Sequence, residues 1–283
     1  YMFSHITYNP GSAGYGNDIV GNLIVRDQSQ NFEGAPFTFE VNLSAPFKLF
    51  GKKHGAGLRV FQDELGFNQD QYINLNYAYK ASVGNGDLGV GVSGGFFIHA
   101  LTVDDGGWIL PEGESYTSKK DQTETAVDFS AGLFYNTDEL YLGLSAQHIV
   151  EPIISIPGGT NEFKIARAYY LSAGYNLALS NPAFEVAPAM LISSDGTVSK
   201  LDLATRVIYN KKAYGGLGYR VGAAVFAMAG FEIMDNLIVG IAYDQGTNDF
   251  RKLTTPSFEV MLNYSFTMSV EKTPKRYKSI RYL

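Results

Sequence analysis

The sequence predicts an all-β transmembrane barrel of about 14 antiparallel strands, of the outer-membrane type. Three observations carry this. Segments of roughly ten residues alternate apolar with polar side chains, the period of a strand. Tight turns and long loops fall on opposite ends of the predicted sheet. The apolar faces of the clearest segments hold no Lys, Arg, Asp or Glu.

The alternation is plainest in Phe37-Thr38-Phe39-Glu40-Val41-Asn42-Leu43-Ser44, where every odd position is apolar and every even one polar. Ile73, Leu75, Tyr77 and Tyr79 repeat it against Tyr72, Asn74, Asn76 and Lys80, as do Val127, Phe129, Ala131, Leu133 and Tyr135 against Asp128, Ser130 and Gly132. Tyr169, Leu171, Ala173, Tyr175 and Leu177 repeat it again, and near the end Phe258, Val260, Leu262, Tyr264 and Phe266 alternate with Ser257, Glu259, Met261, Asn263 and Ser265. The predicted strands cover approximately 18–30, 36–47, 55–63, 70–81, 87–100, 123–135, 140–148, 167–178, 184–193, 199–209, 213–221, 223–233, 237–246 and 256–268. No stretch has a helical period.

Turn chemistry places tight connections at Asn85-Gly86-Asp87, Asn136-Thr137-Asp138-Glu139, Ser180-Asn181-Pro182, Asn210-Lys211-Lys212-Ala213 and Met234-Asp235-Asn236. Longer connections are expected at 101–122, 149–166 and 245–255. Counted in order, most tight turns fall at one end and the longest loops at the other, with 221–223 a short exception on the long side. Such asymmetry is expected of short periplasmic turns and long extracellular loops.

Composition narrows the class. The 283 residues contain no cysteine, which excludes disulfide scaffolds and zinc–thiolate sites. A hydrophobic content of 45% argues against disorder. A net charge of −6 argues against nucleic acid as a partner. No run of about 18 apolar residues supplies a transmembrane helix, and a mean hydropathy of −0.06 suits a barrel that averages apolar with polar faces. The sequence opens on Tyr1 with no leader-like segment, which leaves export undecided.

A soluble sandwich or lipocalin also alternates, with its apolar face turned inward. Two further features favour lipid outside. Sparse charges of both signs sit on the polar face: Arg26, Glu40, Arg59, Asp128, Asp202, Arg206, Arg220, Glu232, Asp244 and Glu259. A soluble exterior would be richer in Lys and Glu. Tyr79, Tyr135, Tyr209 and Tyr243 recur near strand ends, as in an interfacial aromatic belt. The chain then divides into an N-terminal segment 1–17, a barrel 18–268 and a basic tail 269–283. An even strand number returns both termini to one side, which places the C-terminus in the periplasm.

Candidate functional residues follow from that layout. The tail carries five basic residues against one acid. Lys275, Arg276, Lys278 and Arg281 suit acidic partner groups, and Tyr277, Ile280 and Tyr282 suit apolar pockets; a solvated terminus or attraction to anionic headgroups is the plainer alternative. Arg26 and Glu40 stand symmetrically about Glu33 and are expected to face each other as a lumen ion pair, or as a selectivity filter in a small-solute channel. Trp108 and Ile109, in the longest loop after Asp104-Asp105-Gly106-Gly107, are candidate anchors for an extracellular partner. His5, His54, His99 and His148 lack metal-ligand spacing, so no metal or cofactor is expected. A hydrolase reading would rest on His99 or His148, but no Gly-x-Ser-x-Gly elbow occurs and the expectation is a non-enzyme. Gly89, Gly91, Gly94 and Gly95 inside a strand point to close packing or bends.

Several stretches resemble the PorP/SprF family of type IX secretion membrane proteins. Tyr8-Asn9-Pro10-Gly11-Ser12-Ala13-Gly14 is similar to its opening motif, and Phe32-Glu33-Gly34-Ala35-Pro36 to its first-hairpin loop. Pro46-Phe47-Lys48-Leu49-Phe50-Gly51-Lys52-Lys53-His54-Gly55 is similar to its first tight turn. Tyr243-Asp244 and Phe258-Glu259-Val260 resemble its closing strands, although many members carry His where Phe258 stands. The resemblance implies a non-enzymatic outer-membrane component of the type IX secretion and gliding machinery of Bacteroidota. Its PorP-like branch implies periplasmic partners, a lipoprotein ring and a peptidoglycan-binding protein. Its SprF-like branch implies a secreted adhesin held through a C-terminal domain. The tail and the Lys-Lys-His-Gly stretch look more PorP-like.

Overall fold

The computed structural model describes residues 1–28, 34–101, 122–155, 162–248 and 255–267. Strands β1 Ile19–Asp27, β2 Phe37–Leu49, β3 Lys52–Leu65, β4 Asn68–Val83, β5 Gly86–Leu101, β6 Gln122–Asn136 and β7 Leu140–Gln147 form the first half of the wall. A small hairpin, β8 Ile153–Ser155 and β9 Glu162–Lys164, stands apart in the following loop. The second half comprises β10 Ala168–Tyr175 with its continuation β11 Leu177–Ala178, then β12 Phe184–Ser194, β13 Ser199–Tyr209, β14 Ala213–Arg220, β15 Ala224–Met234, β16 Leu237–Gly246 and β17 Ser257–Phe266. Each wall strand pairs antiparallel with its sequence neighbour. β17 returns to β1, with Ile19 opposite Phe266, and the barrel closes with 14 strands.

The side chains settle which face meets lipid. Leu75, Val92, Leu217 and Ile241 point outward and are 68%, 56%, 71% and 61% exposed. On the opposite face of the same wall Asn42 and Asp128 are each 1% exposed. A water-soluble barrel would bury the first set and expose the second; only hydrocarbon outside accounts for the inversion. All the sparse charges expected on the polar face point inward with Asn42 and Asp128. The apolar belt stops at the loop end with outward Gln62, Glu64, Gln69 and Gln71, which hydrogen-bond to one another, Gln69 Nε2 donating to Glu64 Oε1 at 2.8 Å.

Strand limits follow the alternation closely, with three differences. β3, β4 and β5 reach 14, 16 and 16 residues, because their hairpins continue past the belt. The β4–β5 turn is Gly84-Asn85, one residue earlier than expected: Val83 pairs with Gly86, and Gly84 supplies the positive φ of +60°. Besides 221–223, the connections 66–67 and 195–198 are also short on the loop end. At the other end, the turn end, lie 50–51, 84–85, 137–139, 210–212 and 235–236, together with the start of β1 and the finish of β17.

Candidate functional site: the filled lumen

The lumen is occupied by residues 1–15, and Gly16 and Asn17 lie exposed at its turn-end mouth. Two short 3₁₀ turns, His5–Thr7 and Pro10–Ser12, give this segment its shape. Asn9 caps the second turn by accepting from the Gly11 N–H at 2.9 Å, and Pro10 tolerates the first turn position because it has no N–H to satisfy. Met2, Ile6, Asn9, Ser12 and Ala13 are all buried.

The wall satisfies the segment's backbone. Ser145 Oγ donates to the Tyr8 carbonyl at 2.6 Å, and Gln147 Nε2 to the Thr7 carbonyl at 2.8 Å. Asn9 Nδ2 reaches the Leu133 carbonyl of β6 at 2.8 Å. Gly14 N donates to Ser44 Oγ at 2.7 Å, and Lys80 donates to the Gly14 carbonyl. The tyrosine hydroxyl of Tyr1 donates to the Ala189 carbonyl across the lumen at 3.2 Å. Glycine makes the closest approaches possible: a Cβ on Gly89 or Gly91 would overlap the backbone of Gly11 or Pro10, and one on Gly55 would overlap Ala13. The strand glycines Gly89 and Gly91 are therefore close-packing sites, with the N-terminal segment as what they pack.

Two polar networks hold the charged residues. Glu40 Oε1 accepts from Thr7 Oγ1 at 2.6 Å, Asn42 Nδ2 at 2.9 Å and Arg59 Nε at 3.0 Å, which ties the segment to β2 and β3. Toward the loop end Arg26 pairs with Asp244 at 3.1 Å and Glu259 at 3.4 Å, while Arg220 joins Asp202 at 2.9 Å and the same Asp244 at 3.1 Å. The expected Arg26–Glu40 pair does not form. The β1–β2 register sets Arg26 against Thr38 and Ile24 against Glu40, two residues off the assumed symmetry, and β17 puts Glu259 directly opposite Arg26. Each partner thus finds a nearer counter-charge.

His148 Nδ1 donates to Asp128 Oδ2 over 2.8 Å and His99 Nδ1 to Asp70 Oδ1 over 2.6 Å, both facing the lumen near the loop end. His54 faces the opposite way, stacked on Phe47 and 2.7 Å from the Tyr77 hydroxyl. His5 lies in the plug, 4.5 Å from Tyr141 ring to ring, and desolvation there favours the neutral imidazole, its pKa pushed down to about 3. Trp108, Ile109 and Glu33, and the tail residues Lys275, Arg276, Tyr277, Lys278, Ile280, Arg281 and Tyr282, lie outside the described residues. Spaces beside the segment include one of about 90 Å³ between Phe3 and Arg26, Asp244 and Glu259, and one of about 10 Å³ beside Arg59, Tyr72 and Asp128. A vestibule of about 750 Å³, lined by Tyr15, Lys53, Lys80 and Asp138, opens at the turn end.

Comparison with known families matches residues 1–264 to the family described as Type IX secretion system membrane protein PorP/SprF. The chain belongs to the PorP/SprF family. It is an outer-membrane β-barrel of that type IX secretion family. No curated protein matches it. Among solved structures it is similar to the Ralstonia pickettii toluene transporter TbuX (TM-score 0.56, 13% identity, 93% of each chain covered). It is also similar to the CymD monoaromatic hydrocarbon channel (TM-score 0.55, 11% identity, 94% of this chain and 92% of that one). A third is the Acinetobacter baumannii outer membrane protein Omp33 (TM-score 0.54, 8% identity, 89% of this chain and 100% of that one). At these identities the likeness is one of fold.

Within the PorP/SprF chain the resembling stretches now have positions. Tyr8–Gly14 is the core of the lumen segment. Gly34, from the first-hairpin loop, rests on the β3–β4 turn, its carbonyl accepting from Gly66 N at 2.9 Å. Phe50-Gly51 is a two-residue turn with φ of +49° and +76°. Phe258 faces lipid beside Tyr243, ring centroids 5.3 Å apart, so a lumen role at that position falls to Glu259. Composition and period identified none of the plug's ties. Thr7, Asn9 and Gly11 are small polar residues ahead of the first strand, and only the strand glycines that receive them carried a signal.

Proposed function

We propose that this PorP/SprF protein is a non-enzymatic anchor of the type IX secretion machinery. Its belt holds it in the outer membrane, and its two ends hold partner proteins. The observation that supports an anchor over a pore is the N-terminal segment, which bonds to β2, β6, β7 and β12 from inside. The turn end is read as periplasmic, with the 269–283 tail reaching a partner there through Lys275, Arg276, Tyr277, Lys278, Arg281 and Tyr282. In the PorP-like reading that partner is periplasmic machinery, a lipoprotein ring and a peptidoglycan-binding protein; in the SprF-like reading a secreted adhesin domain is held, with Trp108 and Ile109 on the outer side. Deleting 269–283 is expected to leave a folded barrel that no longer retains its periplasmic partners on affinity purification from native membranes; full retention refutes the tail's role.

A small-solute channel is the second reading, favoured by two structural neighbours described as a hydrocarbon channel and a toluene transporter. Planar-bilayer recording separates them. The anchor predicts a silent wild type and conductance in Gly91→Leu, whose side chain evicts Gly11. Stable, solute-selective conductance in the wild type would establish the channel instead.

A further inference from the structure

At the turn end the inner wall carries a row of like charges. Lys48 of β2 pairs directly with Lys53 of β3, and Lys53 pairs directly with Lys80 of β4. Residues directly opposite on neighbouring strands share a face. Lys80 donates to the Gly14 carbonyl inside the barrel, so the row faces inward, and Lys48, Lys53 and Lys80 all line the vestibule of about 750 Å³. Like charges in directly opposed positions destabilise a sheet. The wall offsets only part of this. Asp87 pairs with Lys53 at 2.7 Å and accepts from Ser82 Oγ at 2.9 Å. Lys48 and Lys80 make no ion pair among the described residues. The other acid of the vestibule, Asp138, lies on the β6–β7 connection, two strands beyond β4.

Three lysines across two strand spacings span about 10 Å. A single carboxylate or phosphate answers part of such a row; several carboxylates carried along one chain answer all of it. The docked segment closes the inner side of the vestibule through Gly14 and Tyr15, so an occupant enters from the turn end. The protein's own tail follows β17 at that end, but its five basic residues against one acid repeat the sign of the row. Lipid headgroups meet the outer face of the wall, whereas these ammonium groups face inward. We propose that the vestibule is a docking site for an acidic, extended peptide segment of a partner protein, whose carboxylates lie along Lys48, Lys53 and Lys80. The proposal rests on the anchor reading and gives the chemistry of a partner held at the turn end. Asp138 repels the same segment and confines it to the β2–β4 side of the vestibule.

The test uses the full chain purified in detergent and titrated calorimetrically at low salt, in separate arms, with the end-capped peptides Glu-Ala-Glu-Ala-Glu and Lys-Ala-Lys-Ala-Lys and with inorganic phosphate. One acidic peptide per chain is expected, with an affinity that falls as salt is raised. Lys48→Glu, at an exposed position, is expected to weaken it about tenfold, and Asp138→Asn, also exposed, to tighten it about twofold. Damage to the fold would not move the two variants in opposite directions. Phosphate as tight as the acidic peptide, equal binding of the basic peptide, or an affinity unchanged in Lys48→Glu overturns the proposal. In native membranes Lys48→Glu, with the tail intact, is expected to lose a partner that the wild type retains on affinity purification; full retention overturns the partner assignment. Partner loss on deleting 269–283, with no peptide binding by the purified chain, would remove the vestibule site and leave the anchor. Stable solute conductance in the wild type would remove the anchor and leave peptide binding by the purified chain as a separate result.

Discussion

The two halves of the wall use glycine for opposite purposes. On β3 to β7 several inward glycines receive the docked segment, mostly its main chain: Gly55 meets Ala13, Gly89 and Gly91 meet Pro10 and Gly11, and Gly132 meets the Asn9 side chain. On β14 to β16 three inward glycines receive rings from the wall itself, with Gly218 beneath Phe226 and both Gly230 and Gly240 beneath Tyr214. In one half the segment's main chain lies directly on the wall, and in the other its Tyr1, Met2 and Phe3 side chains meet long side chains of the wall. A main-chain contact cannot be moved without moving the segment, whereas a ring can rotate away. The halves should therefore respond very differently to the same small insult.

The largest effect is expected where the docked half is tied by charge. Replacing Glu40 by Ala removes the acceptor of Thr7, Asn42 and Arg59 together and leaves Arg59 buried without a counter-charge. Removing one partner of a buried pair costs about 3–5 kcal/mol. The barrel should persist on heat-shift electrophoresis, while the N-terminal segment becomes open to limited proteolysis. A segment as resistant as in wild type would show that the glycine contacts alone hold it.

Steric eviction comes next. In Gly91→Val the new side chain meets the Pro10 and Gly11 backbone, and overpacking of this kind costs about 1–3 kcal/mol. Proteolytic release of the segment should follow, at lower extent than in Glu40→Ala.

How much of this was legible before the fold is plain from particular residues. The strands announced themselves because lipid and lumen select opposite residue types on alternate positions, so that Leu43 and Asn42, one residue apart, have opposite fates. The Gly84-Asn85 turn was missed by one residue, since Gly84, Asn85 and Gly86 all suit turns and only the cross-strand pairing of Val83 with Gly86 chooses among them. The partner of Arg26 was not legible: it depends on closure of β1 against β17, which brings together residues 233 positions apart. Arg206 was visible as one of many lumen charges, but that it alone among the described lumen arginines makes no ion pair with a described carboxylate is a fact of register and packing.

A smaller effect is expected from pH. Desolvation in the plug holds His5 neutral with a pKa of about 3, below its ordinary 6.5. The released segment therefore binds more protons than the docked one as pH falls through about 6.5 toward 3. Docking should be fully favourable above that window and weaken within it, by at most about 1.4 kcal/mol per pH unit. Proteolysis at pH 7.5 and pH 5.0 measures this, and His5→Phe, which keeps an aromatic ring against Tyr141, should abolish the difference. A pH response that survives in His5→Phe would assign it to another group.

The smallest effect tests the comparison most directly. Gly240→Ala places a methyl group against the Tyr214 hydroxyl and, more distantly, against Met261 Cε at 3.2 Å. Both neighbours are the far ends of flexible side chains. Tyr214 already stands beside open space next to Phe3, and a shift of its ring by a fraction of an ångström relieves the contact. An off-rotamer adjustment of this size costs about 0.5–1.5 kcal/mol. Gly91→Ala adds the same single methyl on the other half and meets backbone atoms of Pro10 and Gly11 instead. The segment should stay docked in Gly240→Ala and loosen in Gly91→Ala. Equal loosening in both would mean that the two halves of the lumen are packed as one body, and that the division between docked chain and mobile rings has no mechanical consequence.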